Sequence, residues 1–255
     1  MTIGLDWLPS TAFIYLLIFA RVGTMLMLIP ALGEQMIPAR IRLGFALVFG
    51  LVLYPLLAAQ MPALPGDVMA MLALLGHELA VGFILGAITR LVVMSAQVAG
   101  GIIAFQSGLS TAMVADPSQG GVQGAVIGSF LSLLGITLIF ATDLHHTALA
   151  AIYHSYSYFT PTSTLLVDDA VQMVIRAVTS GFTVGVQMAA PFIVFGLIFN
   201  LGAGILARLM PQLQVFFVLM PANIGLGLIL FALLLAMMMG WYLTHFEMTL
   251  EMLRG

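Results

Sequence analysis

Long apolar runs separated by short polar stretches dominate the chain. Most of these runs reach the roughly 20 residues that an α-helix needs to cross a bilayer. The separators carry Pro, Gly and Asp, which favour turns over helix. The pattern predicts an all-α fold of helical hairpins with about six long apolar helices, at Thr11 to Ile29, Ile41 to Met61, Val68 to Met94, Val122 to Ala141, Ala170 to Phe199 and Val215 to Leu243.

One stretch, Ala96 to Gly124, departs from this pattern, since it is mostly Gly, Ser, Thr, Gln and Ala between two apolar segments. Its single acid, Asp116, directly precedes Pro117. Asp-Pro and the Gly100–Gly101 pair argue against a spanning helix, and the low charge argues against a loop in water. Irregular backbone at membrane depth is tolerated only inside protein or along a cavity. We therefore expect non-helical backbone here that occludes or shapes a path.

Two further irregularities follow from proline positions. Pro191 lies inside the fifth apolar segment and removes a helical hydrogen bond, so we expect a kink there. Pro211 and Pro221 bracket an apolar piece before the last segment. We expect that piece to re-enter or turn tightly.

Composition agrees with a membrane protein. Hydrophobic residues make up 62% of the chain and charged residues only 7%, whereas soluble domains carry roughly 25% charged residues. The basic residues are all Arg, and they form no basic patch of the kind that binds nucleic acid. Arg40, Arg42, Arg90 and Arg208 fall on alternate connections. Because basic residues stay on the cytoplasmic side, this distribution predicts an N-terminus outside the cytoplasm.

Three charges lie within apolar runs: Arg21, Glu78 and Arg90. Such groups are costly in a membrane and need partners. Glu78 and Arg90 are too far apart to pair along one helix, where partners are three or four residues apart. We favour interhelical or intersubunit pairs over the alternative, a proton or ion relay.

Repeated glycine spacings predict close helix packing, because two missing side chains on one face let another helix approach. The alternative is that Gly is simply common in membrane helices. The glycines concerned are Gly82, Gly86, Gly120, Gly124, Gly128, Gly181 and Gly185.

The chain is not expected to be an enzyme or to bind a cofactor or metal. His77-Glu78 begins like a zinc-protease motif, but Val81 occupies the fifth position, where the second His ligand is needed. Asp143, His145, His146 and His154 could bind a metal, yet adjacent His side chains point to different helix faces. The neighbouring Tyr153, Tyr156 and Tyr158 are typical of a wet interfacial turn. No glycine-rich phosphate loop or nucleophile elbow is found in the sequence.

Three blocks of the sequence together resemble the FliR family of flagellar biosynthetic proteins, and the injectisome SctT-type proteins are similar. The resemblance covers nearly the whole chain, and the order and spacing of the blocks make it specific. The blocks are ARVGTMLMLIPALGEQMIPARIRLGFAL, AQVAGGIIAFQSGLSTAMVADP and GILARLMPQLQVFFVLMPANIGLGL.

The resemblance implies a core subunit of the flagellar type III secretion export gate in the bacterial inner membrane, at the flagellar basal body. Family members build a hetero-oligomeric helical cone with FliP and FliQ, which FlhB joins, and unfolded flagellar proteins are the substrates. Membrane lipid is a further expected partner, and nucleic acid is not. The resemblance also implies a FliP-like part over residues 1–161 and a FliQ-like C-terminal hairpin over residues 162–255.

In the family, a loop plugs the central channel, and the matching positions here run from Phe105 to Pro117. Apolar side chains in a narrow path exclude water and ions. The implied plug residues are Phe105, Gln106, Ser107, Gly108, Leu109, Ser110, Thr111, Ala112, Met113, Val114, Asp116 and Pro117.

Three alternatives remain open. An injectisome homologue differs only in the machine it serves. A polytopic secondary transporter would place Glu78 or Arg21 in an intramembrane ion path, and inverted repeats would support it. An intramembrane hydrolase is disfavoured because its motifs are missing.

Overall fold

The computed structural model describes residues 8–34, 37–109, 126–162, 167–210 and 215–254. In these ranges the chain forms seven α-helices and one short 3-10 helix, with no strand. The helices are α1 (Leu8–Leu28), α2 (Ala39–Leu57), α3 (Val68–Gln106), α4 (Val126–Ala141), α5 (Leu144–Tyr158), α6 (Val167–Leu209) and α7 (Val215–Arg254), and the 3-10 helix is Ala58–Gln60.

The predicted all-α class with long apolar helices is confirmed. Helices α1, α2, α3, α6 and α7 are each long and apolar enough to cross a membrane. Helices α4 and α5 meet at an angle of 79° and would form a sixth, broken span if taken together. Asp143, between them, has a left-handed backbone conformation with φ of 59°.

The chain forms two compact units, each built from separate stretches. The first comprises residues 1–91, 139–178 and 246–255, and the second comprises residues 92–138 and 179–245. The boundary inferred at residue 161 concerned likeness to FliP and FliQ rather than compactness, and it stays a prediction.

The core of the first unit is formed by α1, α2, α5, the first half of α3 and the end of α7. Each large apolar side chain buried in this core contributes roughly 1.5–3 kcal/mol to the stability of the fold by transfer scales. The end of α7 belongs to this core because Phe246 and Leu250 are fully buried. Other buried members include Leu17, Ile18, Met25, Leu53, Leu85 and Ile152.

The second unit has a core of small and large apolar residues from α3, α4, α6 and α7. Ala96, Ala99 and Ile103 of α3 are fully buried. They share the core with Leu131, Met188, Phe192, Met238 and Tyr242. Small residues on α3 leave room for neighbouring helices to approach.

The expectation of non-helical backbone from Ala96 onward is wrong for its first part. Helix α3 continues without a break through Gly100 and Gly101 to Gln106. The physical reason is packing: Gly100 lies against the backbone of Gly128 in α4, and this close approach offsets the low helix propensity of glycine. The rest of the stretch, from Ser110 through Gly124, lies outside the described residues.

Two other local expectations are corrected. The supposed interfacial turn around Tyr153, Tyr156 and Tyr158 is helix α5, and Tyr156 is buried rather than wet. Residues 215–221, expected to re-enter or turn, are the first turns of α7, with Pro221 inside the helix. Pro191 lies inside helix α6, and the kink expected there stays a prediction.

Candidate functional site: a buried ion pair and the end of the third helix

A stripe of small residues on α3 faces α1. Gly82 and Gly86 recur at the four-residue spacing that places side chains on one helix face. A Cβ atom at Gly82 would lie 2.6 Å from the Arg21 carbonyl oxygen, and one at Gly86 would lie 2.7 Å from Leu28 Cβ. Both distances are too short for real contacts, so the two helices can pack this closely only with glycine at these positions.

Glu78 lies one turn before Gly82 on the same stripe and meets Arg21 of α1. The Arg21 Nε atom donates to Glu78 Oε2 at 2.7 Å, and Nη2 donates to Oε1 at 2.9 Å. Both side chains are fully buried. This bidentate geometry matches the planar guanidinium group. It fixes the register of α1 against α3.

The remaining donors of Arg21 reach α5 and the residue after it. Nη1 donates to the Ser155 carbonyl at 3.1 Å, and Nη2 donates to the Phe159 carbonyl at 2.7 Å. The guanidinium carbon also lies 4.0 Å from the centre of the Tyr156 ring, as in a cation–π contact. Arg21 therefore joins three helices of the first unit through groups that satisfy its charge.

Arg90, the other charge of α3, pairs with Glu34 in the loop after α1. Their side chains are 39% and 20% exposed, respectively. Thus each of the three charges that lie within apolar runs has a partner in the same chain. Disrupting an ion pair that is open to solvent costs less stability than removing one partner of a buried pair.

The end of α3 carries the first residues of the implied plug. The Ser107 amide and hydroxyl both donate to the Ile103 carbonyl, at 2.9 and 2.7 Å. Gly108 follows with φ of 72°, a left-handed conformation that favours glycine and ends a helix. Phe105 is 70% exposed, so an aromatic ring stands out from the last turn. Of the other implied plug residues, Ser110 to Pro117 lies outside the described residues.

A cavity of about 420 Å³ lies beside this helix end, within the second unit. Its polar members are the amides of Gln106, Asn200 and Asn223. The Asn223 Nδ2 atom donates to the Gln106 carbonyl at 3.5 Å, while its Oδ1 atom is buried without a hydrogen-bond partner in the described part of the chain. The other lining residues are Phe105, Gly108, Phe199, Ala203, Gly204, Ala207, Leu219 and Met220.

The other named glycines lie in the second unit or outside the described ranges. A Cβ atom at Gly185 would approach Ser95 and Val98 of α3, and one at Gly128 would approach Gln97. Gly181 is buried. Gly120 and Gly124 lie outside the described residues.

Asp143, His145 and His146 come together at the bend between α4 and α5. Their potential ligand atoms lie within 4.8 Å of one another, and the two imidazole centres are 4.0 Å apart. The expectation that these adjacent His residues point apart is therefore wrong. The cause is their place in the first turn after the left-handed Asp143.

Several residues of these sites were missed from the sequence. Glu34, Asn200, Asn223, Gly196 and Gly227 contact functional candidates or line the cavity beside them, yet none stood out. Gly196 and Gly227 pack against Gln106 and Ser107 at the end of α3. The spacing of Gly196, Asn200 and Gly204 was the available signal, because it places small and amide residues on one helix face.

Comparison with known proteins assigns the chain to a family. The model of the family "Bacterial export proteins, family 1" matches residues 12–249. The chain belongs to this family. It is 46% identical over 220 residues to the flagellar biosynthetic protein FliR of Caulobacter vibrioides, covering 86% of this chain and 87% of that protein.

More distant members of the family include proteins of two kinds of machine. The flagellar biosynthetic protein FliR of Bacillus subtilis is 30% identical over 250 residues, covering 94% of this chain and 93% of that protein. The Yop proteins translocation protein T of Yersinia pestis is 24% identical over 241 residues, covering 92% and 90%. These family members are named for biosynthesis and translocation. The chain is thus a component of bacterial protein export and, with its apolar helices, an inner-membrane protein.

Proposed function

We propose that the chain is a core subunit of the flagellar type III secretion export gate. In this proposal it forms, with FliP and FliQ, a closed channel through which unfolded flagellar proteins pass, and FlhB joins the gate at the basal body. The supporting observation is the similarity to the Caulobacter protein, which extends over 86% of this chain. The chain acts as a structural subunit rather than an enzyme.

The helix surfaces support a role inside an assembly. Helices α6 and α7 have strongly apolar windows in which only 17% and 6% of residues, respectively, are buried within the chain. Lipid tails and partner helices are the two environments that cover such faces. With 43 and 40 residues, these helices are about 60 Å long, roughly twice a bilayer core. Part of each face is therefore left for partner subunits.

The plug role is assigned to residues 105–117, and Phe105 is its first apolar side chain. An exposed aromatic ring next to a glycine turn can fill a narrow path and still move aside. Deleting residues 108–115 is expected to let the gate leak ions while the complex still assembles. The measurement is membrane conductance, together with co-purification of FliP and FliQ.

A matched pair of single substitutions refines this test. Phe105→Ala is expected to raise conductance, because a large apolar group is removed from the path. Phe83→Ala removes a similarly exposed ring from the same helix, 60% against 70%, and should leave conductance unchanged. Equal conductance in wild type, the deletion and Phe105→Ala would contradict the plug assignment.

The Yersinia relative favours an injectisome as the second candidate machine. The two machines are separated by complementation of a Caulobacter strain that lacks its FliR. Restored motility is expected if the chain serves flagellar export. No motility and no assembly with FliP and FliQ would favour the injectisome.

A further inference from the structure

We propose that the first unit holds an anionic phospholipid in a small pocket between the end of α1 and the start of α2. This site is independent of the export channel. The pocket has a volume of about 190 Å³, below the range of roughly 300–1,000 Å³ typical of small-molecule sites. It suits the part of one acyl chain that lies next to the headgroup. It is lined by Leu26, Leu32, Ile37, Ile41, Arg42 and Phe45.

Arg42 is the one charged member of this lining. Its Nη1 atom donates to the Gly33 carbonyl at 3.2 Å, which holds the guanidinium group at the pocket wall. Its Nε atom is buried and has no hydrogen-bond partner among the described residues. A buried N–H group without an acceptor is costly, so the site calls for an acceptor oxygen. Guanidinium groups bind phosphate with two parallel hydrogen bonds.

Charge near the pocket favours an anionic over a zwitterionic headgroup. Arg40 is exposed two residues before Arg42. Glu34, in the adjoining loop, is neutralised by Arg90 of α3. The two arginines of α2 therefore remain as net positive charge, which attracts phosphatidylglycerol and repels the ammonium group of phosphatidylethanolamine.

The outward face of α2 fits the rest of such a lipid. Ile41, Val48, Val52 and Leu56 are each 56–63% exposed and form an apolar stripe down the helix. The helix has 19 residues, or about 28 Å, close to the roughly 30 Å hydrocarbon core of a bilayer. Arg40 and Arg42 at one end therefore lie at headgroup depth when the stripe faces acyl chains.

The test measures lipid retention by the full chain extracted in mild detergent with co-expressed FliP and FliQ. Native mass spectrometry compares bound phosphatidylglycerol with bound phosphatidylethanolamine. Arg42→Gln is expected to lower phosphatidylglycerol retention about fivefold. Arg42→Lys keeps the charge and should retain more lipid than Arg42→Gln. Arg208→Gln removes an exposed arginine from the end of α6 and should retain lipid like wild type.

Two further measurements distinguish a lipid bound in the pocket from a lipid held by charge attraction alone and from a free anion. Leu32→Trp fills the pocket without changing charge and is expected to lower retention as well. Inorganic phosphate at millimolar concentration should not displace the lipid, because it lacks the acyl chain. Equal retention by wild type and Arg42→Gln, no preference for phosphatidylglycerol, or displacement by phosphate would each overturn the proposal. Assembly with FliP and FliQ is read in the same spectra, so failure of the lipid site is distinguishable from failure of the export-gate assignment.

Discussion

At the scale of single residues, Arg21 explains how a membrane helix can carry a fully buried charge. Its guanidinium group meets both oxygens of Glu78 and two backbone carbonyls. These contacts replace the hydration that the group would lose in an apolar interior. The pair therefore specifies which helices meet, because neither charge can be buried elsewhere without its partner.

The first prediction concerns this pair. Glu78→Leu should destabilise the chain by about 3–5 kcal/mol, because it leaves the Arg21 charge buried without a counter-charge. The double substitution Arg21→Leu with Glu78→Leu should cost less than Glu78→Leu alone, since no buried charge remains. Denaturation in detergent, followed by tryptophan fluorescence, gives the two free energies.

The solvent-exposed pair supplies the control for this experiment. Glu34→Gln should cost less than about 1 kcal/mol, because Glu34 and Arg90 are both partly open to solvent. If Glu78→Leu costs no more than Glu34→Gln, the Arg21–Glu78 pair does not hold α1 against α3.

The sequence indicated that Arg21, Glu78 and Arg90 need partners, but could not say which. The expense of a charge in an apolar run follows from composition alone. The choice of Glu78 for Arg21 depends on α1 and α3 packing at Gly82, and on α5 bringing the Ser155 and Phe159 carbonyls. Those contacts join residues more than 50 positions apart, which no local pattern encodes.

At the scale of helices, the effect of a glycine on packing depends on which face of the helix it lies on. Gly100 and Gly101 are neighbours in α3, yet only one of them faces another helix. A Cβ atom at Gly100 would collide with the Gly128 backbone and lie 2.9 Å from the Ile127 carbonyl carbon. At Gly101, no such atom lies within 4 Å among the described residues.

The second prediction uses this adjacent pair. Gly100→Ala should destabilise the chain by about 1–3 kcal/mol, because the backbones of α3 and α4 must move apart. Gly101→Ala should be neutral or stabilise by up to about 1 kcal/mol, because alanine is the better helix former. Thermal unfolding of both variants in detergent gives the signs. A loss of stability for Gly101→Ala equal to that for Gly100→Ala would show that the effect does not come from helix contact.

The apolar runs were enough to predict the existence of the long helices, but not their ends. Long hydrophobic runs have few structural alternatives in a membrane, so α1, α2, α6 and α7 follow from composition. The extension of α3 through Gly100 and Gly101 depends on its contact with α4, which outweighs local propensity. Helix α5 was missed because its His, Ser and Tyr residues are typical of an interfacial turn, while its buried face depends on Arg21 and Ile18.

At the scale of the whole molecule, the distribution of arginines predicts orientation. Arg40 and Arg42 begin α2, whereas the turn between α2 and α3 carries the acid Asp67. Because basic residues are retained on the cytoplasmic side, the start of α2 should face the cytoplasm and that turn should face outward.

The third prediction tests orientation by single cysteines. The chain has no cysteine, so each substitution gives one thiol. Gly66→Cys, in the turn before α3, should react with a membrane-impermeant maleimide from the periplasmic side. Ala39→Cys, at the start of α2, should react only after the inner membrane is opened. Both positions are exposed, so labelling depends on side rather than burial. Reversed labelling would invert the topology.

The unit that contains the N-terminal helices also contains residues 246–255. Phe246 and Leu250 are fully buried in it. Domains usually fold as units during synthesis, the N-terminal domain first, but this unit can complete its core only after residues 246–255 have been made. Helices α1 and α2 stay in the membrane with part of their apolar core uncovered until Leu250 has been synthesised. During translation α1 and α2 therefore depend on chaperones or on lipid to cover their open core. A truncated chain lacks part of the core of its own N-terminal unit.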